Sequence, residues 1–148
     1  MLNNNRGQSM FEVVLALFII TMIIVAVVIL STNSISNSLF SKNKTLAGRY
    51  SQEAVEWLRS ERESNFNNFS AYADLPTYCL DSLSFLNTGL CSESETISDT
   101  VFERTLYFTK QVSSGKTIID ATVVTTWTDS KGVHSSRSVT SFNDIRER

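Results

Sequence analysis

Residue types that build catalytic and metal sites are scarce in this sequence. Its 148 residues include one histidine and two cysteines, and the cysteines do not form a CxxC pair. This leaves too few soft ligands for a structural zinc site. No P-loop, G-x-G-x-x-G or G-x-S-x-G motif occurs, so neither nucleotide chemistry nor a serine-hydrolase elbow is indicated. We expect a protein that is not an enzyme and has no catalytic residue, cofactor or metal ion.

Neither sign of charge is in large excess. Thirteen Lys and Arg residues stand against 15 Asp and Glu residues, for a formal net charge of −2. Proteins built around nucleic-acid binding are usually basic, so this class is not favoured, and a nucleic-acid partner stays an open question.

His134 lies in a predicted hairpin strand beside Ser135 and Ser136. We expect it at the surface rather than in a catalytic triad.

The apolar residues are concentrated in one run. Residues 13–30 read VVLALFIITMIIVAVVIL, and Thr21 is the only one that is not apolar. A helix of this length spans roughly 27 Å, close to the thickness of a bilayer's hydrocarbon core. The alternative, a buried core helix, needs a domain that surrounds it, and the mostly polar residues after Leu30 are too few for that. We therefore predict a transmembrane helix.

Flanking charges predict the orientation of this helix. Arg6 precedes the apolar run, and the first charge after it is Lys42. The positive-inside rule then keeps the N-terminus in the cytoplasm and places the rest of the chain outside. A cleaved secretory signal is the other interpretation, because Ser31 and Ser34 are small, but the run is long for such a signal and no A-x-A pattern follows it.

Glu12 lies at the edge of the apolar run, where a carboxylate is energetically costly and is usually kept for a function. The segment from Gly7 to Leu17, GQSMFEVVLAL, resembles the start of a type IV prepilin. Members of that family have a short basic leader ending in Gly, a cleavage site, and Glu at the fifth mature position. The resemblance implies cleavage between Gly7 and Gln8, N-methylation of Gln8, and a role for Glu12 in assembly and register through the amine of a neighbouring subunit. Gln8 departs from the usual Phe, and the apolar helix lacks the proline of many major pilins.

The resemblance also implies a function and its partners. The chain would be a structural subunit, a minor pilin, of a bacterial type IV pilus or related filament. It would be held in the lipid bilayer before assembly and found in an extracellular filament afterwards. Its partners would be other pilin subunits, a prepilin peptidase and methyltransferase, and an inner-membrane assembly platform. Two alternatives stay open: a pseudopilin of a type II secretion or DNA-uptake apparatus, and a signal-anchored extracytoplasmic binding protein that does not polymerise.

Three parts of the chain are predicted: a leader over 1–7, a hydrophobic helix over 8–31 and an extracytoplasmic domain over 32–148. The helix should continue along an apolar stripe of helical period and end near residue 63, because Asn65, Asn67 and Asn68 follow. Gly48 is a weak point within it. The stripe consists of Ile35, Leu39, Leu46, Tyr50, Ala54 and Leu58.

A loop is predicted over 64–100, and it contains both cysteines. Outside the cytoplasm Cys79 and Cys91 are expected to form a disulfide, with two free thiols as the alternative. Glu93, Glu95 and Asp99 follow, and because they lack an EF-hand pattern we expect a solvated acidic loop rather than a calcium site.

The last part of the chain alternates with the period of a β-strand. Three runs separated by turn residues predict an antiparallel sheet of three or four strands over 101–142, and hence an α+β fold. We place alternate residues of the middle run on one face of the sheet. Leu106, Phe108 and Val139 of the neighbouring runs should lie on the same face, across from them. The middle-run residues are Ile119, Ala121, Val123, Thr125 and Trp127.

Overall fold

A computed structural model describes residues 10–92, 94–113 and 116–144 of the chain. It shows the predicted α+β fold, in which a long N-terminal helix packs on a four-stranded antiparallel sheet. The chain divides into two compact units, with the boundary inside that helix between Ser41 and Lys42. In chain order the elements are α1 Met10–Ser64, α2 Phe66–Tyr72, β1 Thr77–Cys79, β2 Glu103–Ser113, β3 Lys116–Asp129 and β4 Gly132–Asn143.

The segment predicted as one loop contains two short elements. α1 ends at Ser64, close to the predicted end, and Asn65 then caps α2 by accepting a hydrogen bond from the backbone N–H of Asn68. The cluster of Asn residues therefore starts a second helix as well as ending the first. Phe69 holds α2 in place, since its ring meets that of Phe108 edge-on at 5.7 Å and is almost fully buried.

The sheet has the strand order β1-β2-β3-β4. The five residues predicted to share one face of β3 are all buried, and Leu106 and Phe108 lie beside them, paired with Val123 and Ala121. Val139 does not: it pairs with Thr122 on the opposite face and is 61% exposed. The placement of Val139 was wrong because β4 carries polar residues on both faces, so hydrophobic alternation does not identify its inner side.

Small side chains let α1 approach the sheet closely. Ala47, Ser51 and Ala54 are fully buried at helical spacing on the face of α1 that meets the sheet. The Ser51 hydroxyl lies 2.8 Å from that of Thr125, so both buried hydroxyls are satisfied across the interface. Of the predicted stripe, Ala54 and Leu58 are fully buried, whereas Ile35 and Leu39 are exposed.

A buried arginine ties β2 to α1. Arg104 is 2% exposed and donates from Nε to the Leu80 carbonyl at 3.1 Å. Its Nη1 donates to the Tyr50 carbonyl at 3.0 Å and to Glu53 Oε2 at 2.9 Å. Burial lowers the pKa of the guanidinium, and the hydrogen bond to Glu53 opposes that shift. One side chain thus joins α1, β2 and the segment after β1.

We expect the substitution Gly48→Ala to stabilise the fold by about 1 kcal/mol, because glycine is unfavourable inside a helix. A Cβ at Gly48 would meet only the Ser136 hydroxyl, at an ordinary contact distance of 3.8 Å. Equilibrium denaturation of the detergent-solubilised chain measures the change. The matched control is Gly132→Ala, which should be destabilising because Gly132 has a φ of 120°. A loss of stability in Gly48→Ala would mean that the helix and sheet lie closer than described.

Removing the Arg104 side chain should destabilise the protein by about 2–4 kcal/mol, because Arg104→Ala removes a buried side chain together with its hydrogen bonds to the Leu80 and Tyr50 carbonyls. The matched variant Glu53→Gln should change stability by less than about 1 kcal/mol, since the Glu53 side chain is 54% exposed and water can replace the ion pair. The same denaturation experiment distinguishes the two. Equal losses would show that the ion pair, not the carbonyl contacts, is what Arg104 contributes.

Candidate functional site

Residues 13–30, in the first half of α1, have an almost wholly apolar surface that no other described residue covers. From Val13 to Leu30, the large apolar side chains are each between 46% and 69% exposed. The most apolar 18-residue window of α1 has a mean hydropathy of 3.5, and none of it is buried. By length and composition, α1 is the one helix among the described residues that can cross a membrane. This surface therefore needs a covering other than the chain's own domain.

The threonine hydroxyl groups in and beside this segment, those of Thr21 and Thr32, are satisfied within the helix. Thr21 donates to the carbonyl of Phe18 at 2.8 Å, and Thr32 lies 3.0 Å from the carbonyls of Val28 and Ile29. A hydroxyl that bonds to its own helix needs no partner outside it. The one non-apolar residue of the run is therefore compatible with a hydrocarbon surrounding.

Glu12 is the carboxylate that stands before the apolar run. Its side chain is exposed on α1 between Phe11 and Val13, and none of the described residues forms an ion pair with it. The predicted cleavage and methylation positions, Gly7 and Gln8, lie outside the described residues, so their roles stay predictions. A carboxylate at this position remains accessible to a cation of another molecule.

The predicted disulfide is present and lies in the second unit. Cys79 at the end of β1 is bonded to Cys91, with a Cα–Cα distance of 4.8 Å and a sequence separation of 12. The enclosed segment runs back along β1, because the N–H of Cys79 donates to the Asn87 carbonyl and that of Gly89 to the Thr77 carbonyl, both at 2.9 Å. The disulfide thus closes a loop that covers the outer edge of β1.

An aromatic residue that the sequence did not single out packs this loop onto the core. The Phe85 ring stacks on Tyr72 at 4.3 Å, contacts Trp57 at 4.6 Å and meets Tyr78 at 5.2 Å. Arg104 was missed as well, although Phe102 just before β2 alternates with Arg104 and Leu106 within it, and that alternation places Arg104 on the buried face. Phe85 had no such periodic signal, because it lies in an irregular segment.

The acidic segment after the disulfide serves a local turn. Glu95 Oε2 accepts hydrogen bonds from the Ser92 backbone N–H at 2.7 Å and from the Ser92 hydroxyl at 3.0 Å. Glu93 is outside the described residues. Within the described part of the chain, no group of three or more His, Cys, Asp or Glu side chains is arranged to hold a metal ion.

The single histidine closes the β3–β4 turn. His134 Nε2 lies 2.9 Å from Asp129 Oδ1, and the Lys131 backbone N–H donates to the same oxygen at 2.7 Å. An ionised carboxylate only accepts, so His134 is the donor. The hydrogen bonds from His134 and from Lys131 lower the pKa of Asp129. The His134 side chain is about three-quarters buried, against the ring of Trp127, rather than fully at the surface as predicted.

The chain matches no protein-family model, no curated protein and no solved structure. Its architecture is nevertheless pilin-like. A long apolar N-terminal helix continues into a segment that packs on a four-stranded antiparallel sheet, and a disulfide fastens the sheet's covered edge. The apolar helix indicates a signal anchor or a single membrane span. The disulfide indicates that the domain lies outside the cytoplasm.

Reduction of the disulfide should lower the free energy of unfolding by about 3 kcal/mol, because an open chain regains the entropy that the closed loop had lost. Denaturation curves with and without a phosphine reductant measure this. The double variant Cys79→Ala/Cys91→Ala is the control and should not respond to reductant. A wild-type midpoint that reductant leaves unchanged would show that the bond adds nothing to stability.

Acid should remove the stability that Asp129 provides. A carboxyl group with a lowered native pKa stabilises the fold at pH values above its unfolded pKa, about 3.9, and this contribution is lost as the pH falls through the native value. Asp129→Asn should thus be less stable than wild type near neutral pH and should approach it in strong acid. His134→Phe, which keeps a ring beside Trp127, should remove part of the same dependence. A stability difference that does not vary with pH would contradict this assignment.

Proposed function

We propose that this chain is a structural subunit, a minor pilin, of a bacterial type IV pilus or a related filament. The observation that carries the proposal is the exposed apolar half of α1, which begins next to Glu12 and continues into a helix that packs on a small disulfide-bonded sheet. Glu12 is also the fifth residue after Gly7, the spacing by which the N-terminus resembles a prepilin. The covering that the apolar surface needs is first lipid and then other subunits.

Before assembly, the subunit is stored in the membrane. Residues 13–30 cross the bilayer, with Arg6 on the cytoplasmic side and the disulfide-bonded domain on the other. A prepilin peptidase removes residues 1–7 on the cytoplasmic side. The new amine of Gln8 is then methylated by the associated methyltransferase.

During assembly, Glu12 pairs with the mature amine of a neighbouring subunit. In a surrounding of low dielectric constant an unpaired carboxylate is strongly unfavourable, so the pairing sets the axial register of the incoming subunit. An inner-membrane platform moves the subunit out of the bilayer, and the apolar helices of successive subunits then cover one another. The same surface thus serves two environments, both free of water.

The mass of the mature N-terminus tests the proposal. Intact-mass spectrometry of the chain isolated from membranes should show the loss of residues 1–7, with or without one methyl group on Gln8. A chain that retains Met1 through Gly7 would contradict the pilin assignment and support a signal-anchored binding protein. A cut between Ser31 and Ser34 would also contradict it, because the helix would then be a secretory signal.

Glu12→Val should leave membrane insertion intact and abolish incorporation into filaments, because it removes the carboxylate but not the apolar run. The matched control is Thr21→Val, which also replaces a polar side chain of α1 by valine. It should assemble normally, since the Thr21 hydroxyl bonds only within its own helix. Filament fractions sheared from cells, probed for the subunit, measure incorporation. Normal incorporation of Glu12→Val would refute the pairing role.

A further inference from the structure

The two edges of the sheet differ in how they are protected. β1 has three residues, and the disulfide-closed loop bonds to its outer side through Asn87 and Gly89. β4 forms the other edge and has 12 residues. Among the described residues, no strand and no loop backbone bonds to the outer side of β4.

β4 also lacks the features that usually block an exposed edge. Such edges are short, bulged, covered, or carry prolines and several charges. β4 pairs with β3 without a bulge from Asn143 to Gly132 and contains no proline. Arg137 is its only formally charged residue when His134 is neutral. A long, regular and nearly uncharged edge presents a row of backbone donors and acceptors that another extended chain can bind.

Arg137 determines the charge that such an extended chain should carry. It points to the outer face of the sheet, is exposed, and forms no ion pair with the described residues. The carboxylates of β3 are already engaged, because Asp120 accepts a hydrogen bond from Ser141 and Asp129 binds the His134 ring. A strand added beside β4 would therefore find an unneutralised cation at its centre.

The neighbours of Arg137 define the rest of the pattern. Val133 and Val139 lie on the same outer face and are strongly exposed. The inner face of β4 carries Ser136 and Ser138, both half-buried. A complementary strand thus has an acidic residue opposite Arg137, apolar β-branched residues on the same face, and small hydroxyl residues on the other.

We propose that the outer edge of β4 binds an extended segment of a different protein, which adds to the sheet as a fifth strand and places a carboxylate opposite Arg137. A second copy of this chain does not meet the requirement through its own β4, because no Asp or Glu occurs from Gly132 to Asn143. β1 of a second copy does not meet it either, because its edge is covered and it contains no carboxylate. This site is independent of the proposed assembly through α1.

The probe is the labelled, capped peptide Thr-Val-Thr-Glu-Thr-Val-Thr, whose Val and Glu side chains share one face when it is extended. Fluorescence anisotropy measures its binding to the full-length chain in detergent micelles. Replacing Glu in the peptide by Lys should weaken binding by about fivefold, the upper range for one cross-strand ion pair. Methylating the backbone nitrogens on the edge that faces β4 should abolish binding.

The protein variant Arg137→Glu should reverse the preference, so that the Lys peptide binds more tightly than the Glu peptide. Arg49→Glu, which makes the same change in net charge at an exposed position of α1, should leave the preference as in wild type. In amide NMR spectra, the peptide should shift the resonances of residues 132–143 most strongly.

Several results would overturn the proposal: no binding of the Glu peptide to wild type, equal binding of the methylated peptide, or shifts concentrated on another element. Shifts of the β4 resonances that appear with rising protein concentration and no peptide would also overturn it. They would show that the edge is an interface between copies of this chain.

Discussion

The structure depends on one constraint: the apolar surface of residues 13–30 of α1 has no partner among the described residues of its own chain. Water is an unfavourable solvent for side chains such as those of Ile20 and Ile24, which remain more than half exposed. A helix is the form in which a single segment satisfies its own backbone groups without water. The Thr21 hydroxyl also bonds within the helix, so the one polar side chain of residues 13–30 needs no water either. The proposed membrane storage and the proposed packing of apolar helices in the filament both cover this surface.

The second unit is a small core that is reinforced at its boundaries. The small residues Ala47, Ser51 and Ala54 bring α1 against the sheet, and Arg104 fastens the two layers from inside. The disulfide protects one edge of the sheet and Phe85 packs the enclosed loop. Among the described residues nothing comparable covers the outer side of β4, so its backbone groups there keep hydrogen-bonding capacity. A domain attached to a separate apolar helix needs only this modest core.

Periodicity predicted the elements whose two sides differ. The buried face of β3, from Ile119 to Trp127, follows directly from spacing in the sequence. The end of α1 near Ser64 was predicted from the asparagines that follow it. The inner face of β4 could not be predicted from periodicity, because Val139 is one of its few apolar residues and lies on the outer face. α2 was missed because its cap, Asn65, also reads as the end of α1. Arg104 was missed because a charged residue is rarely placed inside, even where alternation requires it.

Some residues of the candidate site could be predicted from the sequence, and others could not. The apolar run and the Cys79–Cys91 pair were predictable because composition and compartment chemistry determine them. The proposed roles of Gly7, Gln8 and Glu12 depend on other molecules, so the structure of one chain does not test them.

Spin-label accessibility tests the central claim most directly. A nitroxide is placed at residue 20 and, as a control, at residue 52 of the full chain in liposomes, on otherwise exposed positions of α1. We predict that the label at residue 20 collides readily with dissolved oxygen and hardly with a water-soluble nickel chelate, while the label at residue 52 shows the reverse. Equal access of the chelate to both labels would contradict the account, because the apolar half of α1 would then lie in water.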